Sequence, residues 1–313
     1  MSRILITGAS GFIGRATVAV LANAGHVIRA AVRRKSNAQF AAGVEIVQHP
    51  DLIQDFDWHP FLEGVEDIIH LAGVAHSGRG IEPPLYDRVN RRATAQLAEA
   101  AGRAGIKRFL FVSSVRAQSG PVADHALTEH DPPMPTDAYG RSKLAAEAAV
   151  VDAGVPFTIL RPVQLYGLGM KGGFALLARA AQSPWPLPLK DFKNRRALLG
   201  IENFISALNF VLTTSAAAGE TYLLADPGMP PPLSEVTAIL RRAHNRRPLL
   251  LPMPPHYVEI PLRMVGRGDV WERFGGNLRV DITKLLRLGW QPAHDTTSGL
   301  TALAQAQRRA ARA

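Results

Sequence analysis

The feature that most constrains this chain is a glycine run placed directly behind its first apolar segment. Arg3–Thr7 reads as a strand, and Thr7-Gly8-Ala9-Ser10-Gly11-Phe12-Ile13-Gly14 follows it. Helical periodicity then runs from Phe12 to Ala24. In a Gly-x-x-Gly-x-x-Gly turn one glycine permits the sharp bend. Another lets a pyrophosphate approach the backbone, and the third lets helix and strand pack closely. The opening helix turn presents N–H groups that have no partner within the helix, which suits phosphates. Three glycines at this spacing carry little weight alone in a chain with 27 of them. Their place between the first strand and the first helix makes them a dinucleotide-binding turn.

The rest of the first half repeats that strand–helix alternation. Val27–Val32, Asp67–Leu71, Arg108–Val112 and Phe157–Leu160 read as strands, the last stopped by Arg161-Pro162. Asp87–Ala104 and Ala138–Val151 read as helices. Such alternation implies parallel βαβ units, so the expected class is α/β, a Rossmann-type doubly wound parallel sheet. Beyond about Gly167 the texture changes. Ser183–Pro188, Pro230–Pro232 and Pro248–Pro261 read as proline-rich punctuation of a smaller C-terminal substrate domain. Ile201–Leu212 and Glu220–Ala225 look like one more helix and strand returning to the main sheet. The expected division is a dinucleotide-binding domain over 1–166 with a returning segment near 200–225. A substrate-binding domain would take 167–199 and 226–313, ending in a basic helix over 302–313.

The end of the second strand discriminates between dinucleotides. NAD-binding folds place a carboxylate there for the adenosine ribose. Here Val32-Arg33-Arg34-Lys35 occupies the position, and the first acidic residue of the chain is Glu45. A guanidinium attracts a 2′-phosphate and can bind it through two hydrogen bonds. Arg33 and Arg34 therefore favour NADP(H), with NAD(H) as the alternative.

Tyr139-Gly-Arg-Ser-Lys143 opens the helix that follows the strand ending in Ser113-Ser114. Residues i and i+4 share a helical face, so the phenol and the ammonium can meet one cofactor ribose. A phenol near pKa 10 is a poor base at neutral pH, and a nearby ammonium lowers that value. Ser114, at a strand's C-terminal end where ligands of such sheets bind, can hydrogen-bond a substrate oxygen.

Together these motifs resemble the extended short-chain dehydrogenase/reductases. The sequence carries Thr-Gly-x-x-Gly-x-x-Gly, His70-Leu-Ala-Gly73, Asn90, Val112-Ser-Ser114, Tyr139-x-x-x-Lys143 and Leu160-Arg-Pro162…Tyr166-Gly167 in that family's order. The resemblance spans essentially the whole chain. It implies a catalytic set of Ser114, Tyr139 and Lys143, the last two also touching the cofactor. Gly8, Gly11, Phe12, Ile13 and Gly14 would grip the dinucleotide, and Leu71, Ala72 and Gly73 would line it. Asn90 would brace the active-site helix, and Pro162 and Val163 would lie near the nicotinamide.

Within that family the likeness is to nucleotide-sugar 4-epimerases and 4-keto-reductases of bacterial surface-polysaccharide synthesis. Pro186-Leu-Pro-Leu, Asn194–Asn203, Val280–Lys284 and Leu288-Gly-Trp290 carry it. It implies a UDP-linked sugar held by Arg196 and Arg273, with Gln164 where epimerases often place an Asn. Two positions depart from the pattern. Arg116 stands where a hydroxyl residue is usual, and Gly173 where an Asn is expected before Phe174. Arg116 is read either as a substrate contact or as a solvated charge. The expected activity is reduction of the C4 keto group of a UDP-4-keto-6-deoxy-hexosamine. The alternatives are a UDP-sugar 4-epimerase retaining NAD and, remotely, a non-catalytic nucleotide-sensing regulator.

Composition narrows the remaining classes. No cysteine is present, which excludes disulfides, thiolate metal sites and cysteine catalysis. No His-Glu-x-x-His or similar pair suggests a metal. The net charge of +10 points to anionic partners: phosphates, nucleic acid or a membrane surface. The arginines are scattered, without an aromatic-interleaved stripe, so nucleic-acid binding is not expected. No apolar run approaches the length of a spanning helix, and a cytoplasmic protein is expected. The family likeness also implies a homodimer, paired through the helices near 87–104 and 138–151.

Overall fold

The computed structural model describes residues 1–35, 39–74, 81–266 and 268–311, without the side chains of 269, 270 and 273. Its strands are β1 (Arg3–Thr7), β2 (Val27–Val32), β3 (Glu45–Gln48), β4 (Asp67–His70), β5 (Arg108–Val112) and β6 (Ala126–Leu127). They continue with β7 (Phe157–Pro162), β8 (Gln164–Tyr166), β9 (Leu198–Gly200), β10 (Glu220–Leu224) and β11 (Arg279–Val280). The helices begin with α1 (Phe12–Asn23), α2 (His59–Leu62), α3 (Pro83–Tyr86), α4 (Ala93–Arg103), α5 (Val115–Gln118) and α6 (Ala138–Asp152). Next come α7 (Gly173–Ala181), α8 (Ile201–Thr213), α9 (Leu233–Ala243) and α10 (His256–Met264). The last are α11 (Gly268–Gly275), α12 (Thr283–Leu288) and α13 (Thr296–Ala310).

Seven strands form one parallel sheet in the order β10-β7-β5-β4-β1-β2-β3. This is the doubly wound α/β architecture expected from the alternation. Period-two alternation explains how both faces are covered. Ile4, Ile6, Ile69 and Leu110 point to a core closed by Val18 and Leu21 of α1 and Phe204, Leu208 and Val211 of α8. Leu5, Ile68, Phe109 and Phe111 point the other way, onto Leu97 and Ala101 of α4 and Ala146 and Val150 of α6. A third cluster gathers Leu177, Phe192, Leu240, Trp271 and Leu300 beside the sheet's C-terminal side.

Several local readings change. β7 runs through Arg161-Pro162 instead of stopping before it, with Leu224 opposite Pro162. A proline at the strand's last position gives up no ladder bond that matters, and the Val163 N–H resumes pairing with the Leu224 carbonyl at 3.0 Å. The 248–261 stretch is not punctuation throughout. α10 starts directly after Pro255 and carries Pro261 inside it. The helix expected over 87–104 is two segments, a wide i→i+5 turn over Asp87–Arg92 and then α4.

The chain leaves β1 in one direction to β2 and β3, then returns to β4 on β1's other side. That reversal opens a crevice at the C-terminal ends of β1 and β4, where doubly wound sheets bind ligands.

Candidate active site

The glycine turn lies at this crevice. Gly8 adopts φ +66, and a Cβ there would come within 2.9 Å of the Ala72 main chain. Only glycine satisfies both demands. A Cβ at Gly14 would stand 2.2 Å from the Gly8 carbonyl oxygen, which fixes how closely α1 meets β1. Gly11 caps α1 without a side-chain hydrogen bond, and no acidic residue lies in the helix's first turn. That uncapped N-terminus fits the pyrophosphate of a dinucleotide. Phe12 packs against Gly167, and Ile13 against the core below.

Leu71, Ala72 and Gly73 thread between this turn and the active-site helix. The Leu71 N–H donates to the Thr7 carbonyl at 3.3 Å, and the Ala72 N–H to the Thr7 hydroxyl at 3.3 Å. A Cβ on Gly73 would lie 3.0 Å from Asn90 Oδ1 and 3.6 Å from Lys143 Nζ. Asn90 lies in the wide turn, a backbone form that recurs at functional sites. Its Oδ1 accepts from the Val74 N–H at 2.8 Å, and its Nδ2 donates to Ser142 Oγ at 3.0 Å. Ser142 in turn donates to the Tyr139 carbonyl at 2.7 Å. Asn90 thus ties the loop after β4 to the first turn of α6.

Asp137 starts α6 by accepting from the Gly140 N–H at 2.7 Å. The Tyr139 hydroxyl shares a hydrogen bond with the Ser114 hydroxyl. Ser114 is buried and opens α5 by accepting from the Arg116 N–H at 3.2 Å. Burial pushes the phenol up to about 12, against the pull of the Ser114 hydrogen bond and of Arg116. Lys143 donates to the Val112 carbonyl at 2.8 Å and lies 4.7 Å over the Phe111 ring. Burial brings its amine down to about 8, with Glu147 pulling the other way. Arg116 is one cation that pulls the phenol's proton affinity down, against the larger effect of burial; the Lys143 ammonium is turned onto the end of β5.

A buried network that spacing did not reveal supports this group. Glu147, one turn beyond Lys143, accepts from the Ser113 hydroxyl and pairs with Arg161 at 2.5 and 3.0 Å. Arg161 also donates to Gln118. The one available signal was that Tyr139, Lys143 and Glu147 fall on one helical stripe, at i, i+4 and i+8.

The residues expected at the substrate divide into groups. Arg116 is not a solvated charge. It pairs with Asp137 at 2.6 Å, and its Nε is buried with no hydrogen-bond partner. Arg196 donates to the Pro121 and Gly276 carbonyls at 2.9 and 3.0 Å. Its proton affinity is lowered to about 10 by burial and by Arg116, so the two guanidinium groups face each other's field. Gln164 is exposed and its amide donates to the Leu165 carbonyl at 3.1 Å. Pro162 ends β7, and Val163 is buried beneath it. The side chain of Arg273 lies outside the described residues. Gly173 is the first residue of α7 and has open space where a side chain would be.

At the other end of the crevice, Arg33 is 65% exposed and faces Asp51 at 3.4 Å; Arg34 is exposed. The expectation of NADP(H) overlooked that partner. Among the described residues no group of His, Asp or Glu could hold a metal, and no helix is long and apolar enough to cross a membrane.

Comparison with known proteins decides the family. The model of the NAD dependent epimerase/dehydratase family matches residues 4–225. The chain belongs to this family. It is 31% identical to a UDP-glucose 4-epimerase of Vibrio cholerae, covering 97% of this chain and 94% of that one. A UDP-glucuronic acid 4-epimerase from Bacillus cereus, solved with NAD, shares the fold at TM-score 0.79 and 20% identity, covering 98% and 99%. MoeE5, solved with UDP-glucose and NAD, does so at 0.78 and 23%, covering 99% of each chain. The fold is the doubly wound α/β class expected from the alternation of strands and helices, and the family is one that the combined motifs resembled.

Proposed function

We propose that this chain is a UDP-sugar 4-epimerase that works with NAD. The observation carrying this reading is the Tyr139–Ser114 hydrogen bond, with Lys143 one turn further along α6 and above the end of β5. Gly8, Gly11 and Gly14, with the uncapped start of α1, would hold the pyrophosphate, and Leu71–Gly73 would line the dinucleotide. NAD supplies a hydride acceptor and donor at its nicotinamide. Tyr139 holds or gives the proton at the sugar's 4-oxygen, the general acid–base role. Ser114 orients that oxygen. Arg116 and Arg196 offer paired positive charge to a diphosphate, and the unpartnered Arg116 Nε is a donor ready for it.

Reduction of a 4-keto sugar was the first expectation. The relatives favour its alternative, since the Vibrio cholerae protein matched from end to end is a 4-epimerase. The dinucleotide reading moves with it. The family is described by NAD, and Asp51 already faces Arg33.

Proton NMR of UDP-glucose incubated with the protein and NAD tests the proposal. Appearance of the C4 epimer, with no net NADH formed, is the expected result. Oxidation of NADPH in step with loss of a UDP-4-keto sugar, and no epimer, would return the reading to a reductase.

A further inference from the structure

The net charge of +10 is not absorbed by the site described so far. Part of it lies on a face far along the chain from the catalytic residues. Two stretches free of Asp and Glu, 153–190 and 236–258, meet there. The Leu187 N–H donates to the Leu249 carbonyl at 3.3 Å, and Leu251 returns a bond to Leu187 at 2.9 Å. Lys190 continues the pairing with the Leu251 carbonyl at 3.1 Å. Arg246 Nε reaches the Gln182 carbonyl at 3.0 Å.

This face exposes apolar side chains. Trp185 is 75% exposed, Leu249 54% and Leu251 46%. Arg246, Arg247 and Lys190 are exposed among them. The tryptophan is presented by a built support. It sits between Pro184 and Pro186, whose fixed φ angles limit the chain. The buried Arg241 donates to the Ser183, Trp185 and Arg247 carbonyls at 3.2, 3.0 and 2.8 Å. A guanidinium withdrawn from water is costly unless its donors are satisfied. Here they lock the tryptophan loop against the basic segment.

We propose that this face docks on the surface of an anionic lipid bilayer. Tryptophan suits the headgroup level, where its ring is apolar and its N–H stays wet. Leu249 and Leu251 enter the acyl boundary beside it, while Arg246, Arg247 and Lys190 meet lipid phosphates. The absence of carboxylates from both stretches matches the charge of that surface. A nucleic acid would satisfy the cations but would leave both leucines in water. The docking is peripheral, since no described helix can span a membrane. It is independent of the epimerase reading.

Trp58, Trp271 and Trp290 are buried, so iodide quenching and emission shifts report on Trp185. The full chain is mixed with phosphatidylcholine vesicles, with or without phosphatidylglycerol, and sedimented. Binding confined to phosphatidylglycerol vesicles, with a blue shift and protection from iodide, is the expected result. Trp185→Ser removes the shift. Arg247→Glu and Lys190→Glu each weaken partitioning at least about fivefold, from roughly 1 kcal/mol per basic residue. All three positions are exposed, and unchanged thermal melts confirm the folded state. Three results would each overturn the proposal. One is no vesicle binding, or binding that the three variants leave intact. Another is concentration-dependent self-association abolished by Trp185→Ser. The third is Trp185 protection by DNA but not by vesicles.

Discussion

Tyr139 and Lys143 stand one helical turn apart and start from similar proton affinities, yet burial drives those affinities apart. The phenol rises to about 12 and the amine falls to about 8. Both effects have one cause, since desolvation disfavours whichever form is charged. At neutral pH the phenol is protonated and the amine is largely a cation. Raising the pH through about 8 removes the Lys143 proton first. If the ammonium is what positions the cofactor ribose, kcat/KM should fall on an alkaline limb near pH 8. A profile flat from pH 7 to 9 would exclude that role. Tyr139→Phe keeps the ring against Tyr86 but deletes the hydroxyl. It should lower kcat by about 10²–10⁴ while calorimetry still detects NAD uptake. A loss below tenfold would assign the proton to another group.

Between elements, His70 of β4 joins β1 to the first turn of α4. Its ring is fully buried, 2.7 Å from Thr7 Oγ1 at Nδ1 and 2.9 Å from Thr94 Oγ1 at Nε2. Thr94 donates to the Asn90 carbonyl at 2.6 Å, so it must accept from Nε2–H. The imidazole is therefore neutral with its proton on Nε2, and Thr7 donates to Nδ1. Burial, with help from the Lys143 charge, lowers its pKa to about 3. Below about pH 6.5 the unfolded chain binds a proton that the folded one refuses. Stability is whole above that pH and declines as the pH falls towards 3. At pH 5 the loss is about 2 kcal/mol, from about 1.5 pH units at 1.36 kcal/mol each. His70→Gln should be less sensitive by that amount in urea melts at pH 7 and pH 5; equal slopes would place the charge elsewhere. Much at this scale was legible in the sequence. β1, β2, β5 and β10 read clearly because buried parallel strands are near-continuous apolar runs. β3 did not, because Glu45-Ile-Val-Gln48 is a short edge strand with polar ends. The partner of Arg33 was hidden for the same reason. β2 pairs with β3, Val32 opposite Gln48, and this delivers Asp51 to Arg33 from eighteen residues away. Tyr139, Lys143 and Ser114 were legible because helix spacing and a strand end place them. Glu147 with Arg161 was not, because only the closed sheet brings β7 beside α6.

Across the whole molecule, the expected boundary near residue 226 does not coincide with a boundary in the core. Leu278, Ile282, Leu285 and Trp290 belong to the same buried cluster as Ile4, Leu110 and Leu208. The Trp290 indole N–H donates to Ser206 Oγ of α8 at 3.2 Å, and Lys284 of α12 pairs with Glu220 of β10 at 2.7 Å. The sheet's last strand is thus covered by chain from beyond the family-matched stretch. A core shared in this way should melt as one unit. Calorimetry of the full chain should give a single transition whose calorimetric and van't Hoff enthalpies agree. Trp290→Ala should lower the unfolding free energy by about 3–5 kcal/mol, the range for deleting a large buried aromatic. A fragment of residues 1–225 leaves that side of the cluster open to water and should lack near-ultraviolet circular dichroism. If it instead melts cooperatively at the temperature of the full chain, the C-terminal residues are a separable lobe. The burial of Trp290 would then be an accessory contact rather than part of one core.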